Sequence, residues 1–479
     1  MKSVRIGGRI RRLRQERRLT QVEMAAELGI SPSYLNLIES NARPVTVRVL
    51  LRLAERFQVD MTALSVDEDD RLVSELMEAF SDPLFDSKDI KATDVKELVA
   101  ALPAVGRAVS HLYNAWRRGA GTGAGPADTT SESSAGDAPP ATLPSEEVSD
   151  FIQQKLNFFD ELEQTASGLW KKHGLGLHSL FQNLVDVLAK TYAVTVDVQP
   201  AAAMKGLLRD YNPMTRRLTL SEMLPLSSRT FQLAHQIALL GHRREIEHAV
   251  SLGKFTSDEA DALARTALAN YFAGAVMMPY ELFLAAARQT RYDIATLEAR
   301  FDASFEQVCH RLTTLRRKGA EGVPFHLIRV DVAGNISKRF SASGIHIARF
   351  GAACPRWNVY DAFSTPGLLR VQVSRMPDGA AFLCVAGTVR PPGRIQPHGP
   401  MLRRGGLLAI GLGCSAAYAK EFAYADGLDL NDDKIVTPIG VSCRLCSRED
   451  CTDRAMPAFH QKLRIDENRR GVSAYWVAE

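Results

Sequence analysis

The 479-residue chain is 46% hydrophobic and 24% charged, an ordinary globular composition with length enough for about three domains. It has no run of eighteen apolar residues and its first residues are charged, which excludes a membrane-spanning or secreted reading and sets a cytoplasmic expectation. Seven cysteines, an odd number gathered mostly in the last third, do not make a secreted disulfide framework and point instead to metal or redox chemistry.

Residues 1–60 hold twelve Lys or Arg against six acids, a surplus of six where the whole chain carries +4, so the remainder is net −2. The positive field is therefore concentrated in an N-terminal head, and nucleic acid is the expected partner. Ile6, Ile10 and Leu13 recur at helical spacing among arginines, giving a first helix with a buried face and a cationic face. Thr20 followed by Glu23 is a capping box opening a second helix, with Val22, Ala25 and Leu28 expected inside and Gly29 as its stop. Ser31 then caps a third helix with Pro32 at its first position. Leu35 and Ile38 face inward on it, which leaves Ser31, Ser33, Tyr34 and Asn36 at the tip that meets base edges. Arg12, Gln21, Asn41 and Arg43 complete the expected DNA contacts, and a fourth helix carrying Val47, Leu50, Leu51, Ala54 and Phe57 closes the small core. The stretch resembles the Cro/repressor-type helix-turn-helix family.

Residues 66–118 read as acidic and helical, with Leu98, Val105, Val109 and Leu112 as an apolar stripe for packing or dimerisation. Residues 119–144 are dense in Gly, Ala, Ser, Thr and Pro and are expected to be a flexible linker.

From Ser145 the pattern is again helical, interrupted by two β-branched stretches, 192–200 and 216–220, which predict a small β hairpin. Residues 231–248 invite comparison with the H-E-x-x-H zinc helix, but His235 is followed by Gln236, which is no general base, and Leu239 stands where the second ligand belongs. His242 lies two turns beyond His235, too far to share its ion. The segment looks like a degenerate N-terminal domain of IrrE-type metallopeptidases, turned from catalysis to binding. Tyr271, Phe272, Met277, Met278 and Tyr280 can line an apolar cavity, with His235 as a hydrogen-bonding residue and Arg209, Arg216 and Arg217 as phosphate partners; ordinary core packing is the competing reading. Two short helices with a turn near Asp302 and Ala303 follow, and Cys309 reads as a buried thiol.

Near Val323 the character changes to strands: FHLIRVD, LLRVQVSRM, AAFLCVAGTV and LLAIGLG, with a PDG turn at 377–379. The expectation is a GAF- or PAS-like α+β domain. Cys443, Cys446 and Cys451 stand in a C-x2-C-x4-C spacing among Arg444, Arg448 and Arg454, whose charge favours thiolates and an anionic centre. A fourth thiol has to come from Cys354 or Cys414, of which Cys354 is adopted; iron–sulfur cluster and structural zinc both suit four cysteines, and unligated thiols are the third possibility.

Taken in order, FQLAHQIALL, ALANYFAGAVMMPY, the run from Arg300 to Arg339, CPRWN, MPDG, YADGLDL and PIGVSCRLCSREDC behind a repressor-type head resemble the short-chain fatty acyl transcriptional regulators. The resemblance implies a [4Fe–4S] cluster on the cysteine motif, a short-chain acyl-CoA of the propionyl-CoA type bound in the middle domain, and a homo-oligomer, dimer or tetramer, on double-stranded DNA. The expected class is thus a mainly α multidomain, non-enzymatic regulator: a head at 1–65, a connector at 66–118, a linker at 119–144, a sensor domain at 145–322 and an α+β domain at 323–479. A redox- or iron-sensing regulator without an organic ligand, and an IrrE-type metallopeptidase, are the alternatives.

Overall fold

In the computed structural model the described residues are 10–11, 13–14, 17, 19–39, 43, 45–46, 49, 52–53, 56–57, 67–80, 85, 90, 92–121 and 143–458 except 349–352, 392–405 and 431, with 468, 472 and 475 beyond. The chain divides into two compact units, Met1–Arg117 and Arg118–Glu479. Among the described residues no helix is long and apolar enough to cross a membrane.

In the first unit, α1 (Gln21–Leu28) opens on the reciprocal box expected from its sequence. Thr20 Oγ1 accepts from the Glu23 N–H at 3.3 Å, and the Glu23 carboxylate accepts from the Thr20 N–H at 2.7 Å. Gly29 ends the helix at φ +60°, and a Cβ there would lie 2.1 Å from Arg52 Nη1, which donates to the Leu28 carbonyl at 2.6 Å. Only glycine satisfies both the backbone and the arginine. Ser31 Oγ accepts from the Tyr34 N–H at 3.1 Å and opens α2 (Pro32–Glu39).

Ile10, Met24, Ala25, Leu28, Leu35, Ile38, Val49, Leu53 and Phe57 form the head's core. Val22, expected inside, is exposed, and Met24 takes the inner place. With Ala25 and Leu28 fixing the inward direction, Val22 falls roughly 90° around the helix from it, whereas Met24 lies one turn before Leu28. Val47, Leu50, Leu51 and Ala54 lie outside the described residues, as does Ile6.

A second core in the same unit joins α3 (Asp67–Phe80), α4 (Ala92–Ala101) and α5 (Pro103–Gly121). Gly106, Ser110 and Tyr113 make the inner face of α5: a Cβ on Gly106 would meet Leu76 and Leu72, and Ser110 Oγ donates to Glu75 at 3.1 Å. The expected stripe is accordingly split. Leu98 and Val109 pack against the core, while Val105 and Leu112 point outward, because the face toward α3 is set by Gly106 and Ser110.

The second unit begins with α6 (Pro144–Gln154), α7 (Asp160–His173) and α8 (Leu180–Tyr192). A three-stranded sheet follows, β1 (Thr195–Gln199), β2 (Arg209–Asn212) and β3 (Arg217–Ser221), in the order β1-β3-β2. The hairpin expected between the first and third of these is not formed. They pair in parallel, Val196 opposite Leu218, and the hairpin is made by β2 and β3, Tyr211 opposite Leu218. Parallel pairing needs a crossover, which residues 200–216 provide. Asn212 Oδ1 accepts from the Met214 and Thr215 N–H groups in the β2–β3 turn, whose last residue, Arg216, has φ +48°.

Six helices come next: α9 (Leu226–Gly241), α10 (Arg243–Ser251), α11 (Asp258–Met277), α12 (Tyr280–Gln289), α13 (Ile294–Phe301) and α14 (Phe305–Leu312). Asp302, left-handed at φ +45°, breaks α13 from α14, and a Ser304–Gln307 capping box restarts the chain.

The last sheet has six strands, β4 (Phe325–Asp331), β5 (Ile336–Ser341), β6 (Arg370–Arg375), β7 (Ala381–Val389), β8 (Leu408–Ser415) and β9 (Val436–Pro438), in the order β5-β4-β8-β7-β6-β9. All its pairs are antiparallel except β6 with β9. The PDG turn closes β6 on β7, with Gly379 at φ +93°. One face of the sheet, through Phe325, Leu327, Leu383, Val385, Leu412 and Cys414, shares a continuous core with the helices. The other face packs Ile328, Val330, Trp357, Cys384 and Ala386 beneath a short helix, α15 (Asn358–Asp361).

Candidate functional site

The tip of α2 presents Ser31, Ser33 and Asn36, all exposed, whereas Tyr34 is half-buried and packs on the head's core. Gln21 on α1 reaches across the turn, donating to Asn36 Oδ1 at 3.3 Å and to Glu39 at 2.9 Å. Arg43 is exposed just beyond; Arg12 and Asn41 lie outside the described residues. What sequence reasoning missed is the fastening under this tip. Glu39, only 6% exposed, takes Arg14 Nε at 2.7 Å and Nη2 at 3.2 Å, a bidentate pair that ties the first helix to α2. Its partners lie 25 residues apart, and no local spacing rule connects them.

Seven of the nine residues read as a possible acyl-CoA pocket, Arg209, Arg216, Arg217, His235, Tyr271, Met278 and Tyr280, are distributed over three places. Arg216 and Arg217 are exposed at the β2–β3 turn, Arg217 within 3.2 Å of Asp197. Tyr271, Met278 and Tyr280 are buried around an ion pair absent from the sequence reading. Arg311 grips Glu163 at 2.5 and 2.8 Å, the two side chains being 2% and 1% exposed. Tyr271 Oη donates to Glu163 at 2.7 Å, Arg311 Nε donates to the Met278 carbonyl at 2.9 Å, and the Tyr280 ring lies under both Arg311 and Arg317. Burial and the carboxylate push the Tyr271 phenol well above its ordinary range.

His235 and Arg209 make up the third, the arginine's charge being felt at the imidazole. His235 on α9 is 3% exposed and donates from Nδ1 to Asn270 Oδ1 on α11 at 2.8 Å. Burial first, and the nearby Arg209 charge second, push it down to about 4, so the ring is neutral near pH 7. Arg209 is half-buried; desolvation lowers it, and its Nη1 is sealed from solvent with no hydrogen-bond partner.

In the C-terminal region Cys354 comes up to the cysteine loop. Its N–H donates to the Val441 carbonyl at 3.0 Å, and Trp357 Nε1 donates to the Gly440 carbonyl at 3.0 Å. Burial raises the Cys354 thiol, with Cys443 and Cys446 adding to the rise. Arg454 holds the Cys443 and Cys446 carbonyls at 3.1 and 3.2 Å, and the Ala455 N–H points to Cys443 Sγ at 3.4 Å. Cys414 instead lies in the helix-facing core on β8. Four thiols on two tethered loops are a donor set for an iron–sulfur cluster or zinc, although among the described residues no three His, Cys, Asp or Glu side chains converge closely enough to hold a metal ion.

A helix-turn-helix head followed by a helical region and a sheet-bearing region defines the molecule as a DNA-binding transcriptional regulator. Family models match in the same order: a helix-turn-helix over residues 10–64, an IrrE N-terminal-like domain over 189–313, and the C-terminal part of a short-chain fatty acyl coenzyme A regulator over 314–475. The HTH-type transcriptional regulator RamB of Mycobacterium tuberculosis is 40% identical over 483 residues, covering all of both chains. The HTH-type transcriptional regulator PrpR of the same organism is 39% identical, covering 99% of this chain and 96% of its own. The propionyl-CoA carboxylase regulator of Cereibacter sphaeroides is also 39% identical, over 99% and 98%. A solved Mycobacterium tuberculosis transcriptional regulator superposes with a TM-score of 0.66 at 38% identity, over 70% of this chain and 100% of its own. The chain belongs to the short-chain fatty acyl coenzyme A regulator family.

Proposed function

We propose that this regulator binds double-stranded DNA as a homo-oligomer, dimer or tetramer, and that a short-chain acyl-CoA of the propionyl-CoA type changes its DNA affinity. The observation that carries the reading is full-length similarity to transcriptional regulators, one of them named for propionyl-CoA carboxylase, together with the acyl coenzyme A family model. Assembly is supported by Leu102, Val105, Leu112 and Trp116, large apolar side chains exposed at or along α5. A two-fold pair of heads would then read half-sites about one helical turn apart.

We propose further that Cys443, Cys446, Cys451 and Cys354 would hold a [4Fe–4S] cluster, with zinc as the alternative metal; a bound cluster would supply sensitivity to oxidation. The tethering of Cys354 to the Val441 carbonyl, and the burial of Cys414 in another core, support Cys354 as the fourth thiol. The order of the six-stranded sheet, in which its first strand β4 lies between β5 and β8, supports reading it as a GAF- or PAS-like sensor sheet.

The test uses full-length protein purified without oxygen and genomic DNA fragments that the protein itself selects. Propionyl-CoA at fixed cluster occupancy is expected to shift the apparent Kd by roughly 5- to 150-fold, the usual range of allosteric coupling. Cys446→Ser should abolish bound iron in native mass spectrometry. No shift with any short-chain acyl-CoA would sink the ligand reading, and a Kd that follows cluster loss alone would establish the redox- or iron-sensing alternative.

A further inference from the structure

The face of the C-terminal sheet beneath α15 holds a cavity of about 20 Å³, with walls from β4, β6, β7 and β8. That is room for one molecule of the size of water or a diatomic gas. The polar side chains of the lining are spent on one another or on backbone. His326 Nδ1 is bonded to Ser343 Oγ at 2.8 Å, and its Nε2 lies 3.5 Å from Cys384 Sγ. Ser374 Oγ donates to Gln372 Oε1 at 2.9 Å, and Gln372 Nε2 donates to the Arg356 carbonyl at 3.0 Å. Asn358 Nδ2 donates to the Arg370 and Cys384 carbonyls at 2.9 and 3.1 Å. Burial holds the imidazole at about 3 and the thiol at about 12, so both are neutral near pH 7. An internal water needs about two to four polar partners, and groups already engaged do not supply them. The rest of the wall is apolar: Ile328, Ile345, Val359, Ile439 and the Trp357 ring. Cavities of that kind stay dry and take up small apolar guests.

The cavity also lies on a route. Gln372, half-buried among buried neighbours, and Asn358 line an open groove of about 430 Å³ as well, so these two amides stand between the cavity and solvent. Another part of the wall is fastened to the cysteine loop. Trp357 Nε1 donates to the Gly440 carbonyl at 3.0 Å, and its backbone N–H donates to the Cys354 carbonyl at 3.2 Å. Ile439 immediately precedes Gly440, and Cys446 packs against that glycine so closely that a Cβ there would stand 3.0 Å from its Sγ. Cavity and thiols therefore share a wall.

We propose that this cavity binds a neutral diatomic gas, dioxygen or nitric oxide, and is the port through which the gas reaches the cysteine centre. No bond is made or broken in the cavity itself. The binding site follows from the walls alone; the delivery step rests on the reading of Cys354, Cys443, Cys446 and Cys451 as cluster ligands.

The experiment uses full-length protein purified without oxygen, its isoleucine methyl groups isotope-labelled, under rising pressures of argon, an inert atom about as wide as dioxygen, with helium as the control for pressure. The Ile328, Ile345 and Ile439 signals, assigned by single Ile→Val replacements, are expected to shift saturably with argon and not with helium. Val359→Ile adds a methyl group to the wall and should abolish the response, whereas Val359→Ala enlarges the cavity and should move it to lower pressure. Thermal unfolding of both variants separates an altered cavity from a damaged core. Bleaching of the cluster absorbance by air and by nitric oxide is followed separately, and Val359→Ile should slow it severalfold for the gas that uses the port. No argon response, the same response in both variants as in the parent, methyl cross-peaks to a resident water, or unchanged bleaching by both gases would overturn the proposal. Protein that carries no iron would sink the cluster reading and the delivery step with it, while the argon titration decides the binding site.

Discussion

Arg311 and Arg209 belong to the same helical region and differ in one respect. Arg311 is enclosed by a carboxylate, a carbonyl, a hydroxyl and the Tyr280 ring, so each of its three nitrogens has a partner. Arg209 is partly buried with a nitrogen that nothing answers. A satisfied buried charge is held by the fold; an unsatisfied nitrogen carries a desolvation cost that nothing in the fold offsets. The head repeats the contrast: Arg14 is engaged by Glu39 and the Leu19 carbonyl, while Arg43 is exposed beside the α2 tip.

The largest effect should come from breaking the satisfied pair. Glu163→Gln leaves a desolvated guanidinium without its charge partner and is expected to lower the unfolding free energy by about 3–5 kcal/mol, measurable by urea titration. Arg209→Gln should stay within about 1 kcal/mol of the parent in the same titration, because no native pair is lost. Equal losses at both positions would erase the distinction.

Acid sharpens it further. Burial holds His235 at about 4 and His310 and His326 at about 3, all below the unfolded value of about 6.5. Above pH 6.5 the folded and unfolded chains bind the same protons at these rings. Below it the unfolded chain takes up protons that the native rings refuse, so stability falls with pH, by up to about 1.4 kcal/mol per pH unit for each ring, until about pH 4 for His235 and about pH 3 for the others. Replacing His326 with Gln should remove one proton from that slope.

The smallest expected effect is at the head. Arg43→Ala should leave thermal stability unchanged while costing about 1 kcal/mol or more of DNA affinity and reducing the salt slope by about 1. An unaltered salt slope would move Arg43 off the phosphate contacts.

The helix-turn-helix was legible because its signals are local: a capping box within four residues, a glycine stop and a serine start. The β sheet of the helical region was not, since β2 is polar, RDYN, and the parallel partner of β1 lies beyond it. The aromatic and methionine residues around 271–280, read as cavity lining with core packing as the competing reading, lie in the core, and what Tyr271, Met278 and Tyr280 surround, Glu163 and Arg311, is 148 residues apart in sequence and was invisible to spacing. Arg209 was picked from its charge; its missing partner is knowledge only of the fold.

The core shared by the helices and the C-terminal sheet has an evolutionary consequence. The family models meet between residues 313 and 314, yet Phe325, Leu327, Leu383 and Leu412 pack in one cluster with Leu297, Phe301 and Leu312. A recombination event at that junction would mate two apolar surfaces shaped in different ancestors. Inheritance should therefore favour the helical and sheet segments travelling together, with the head as the part that can be traded.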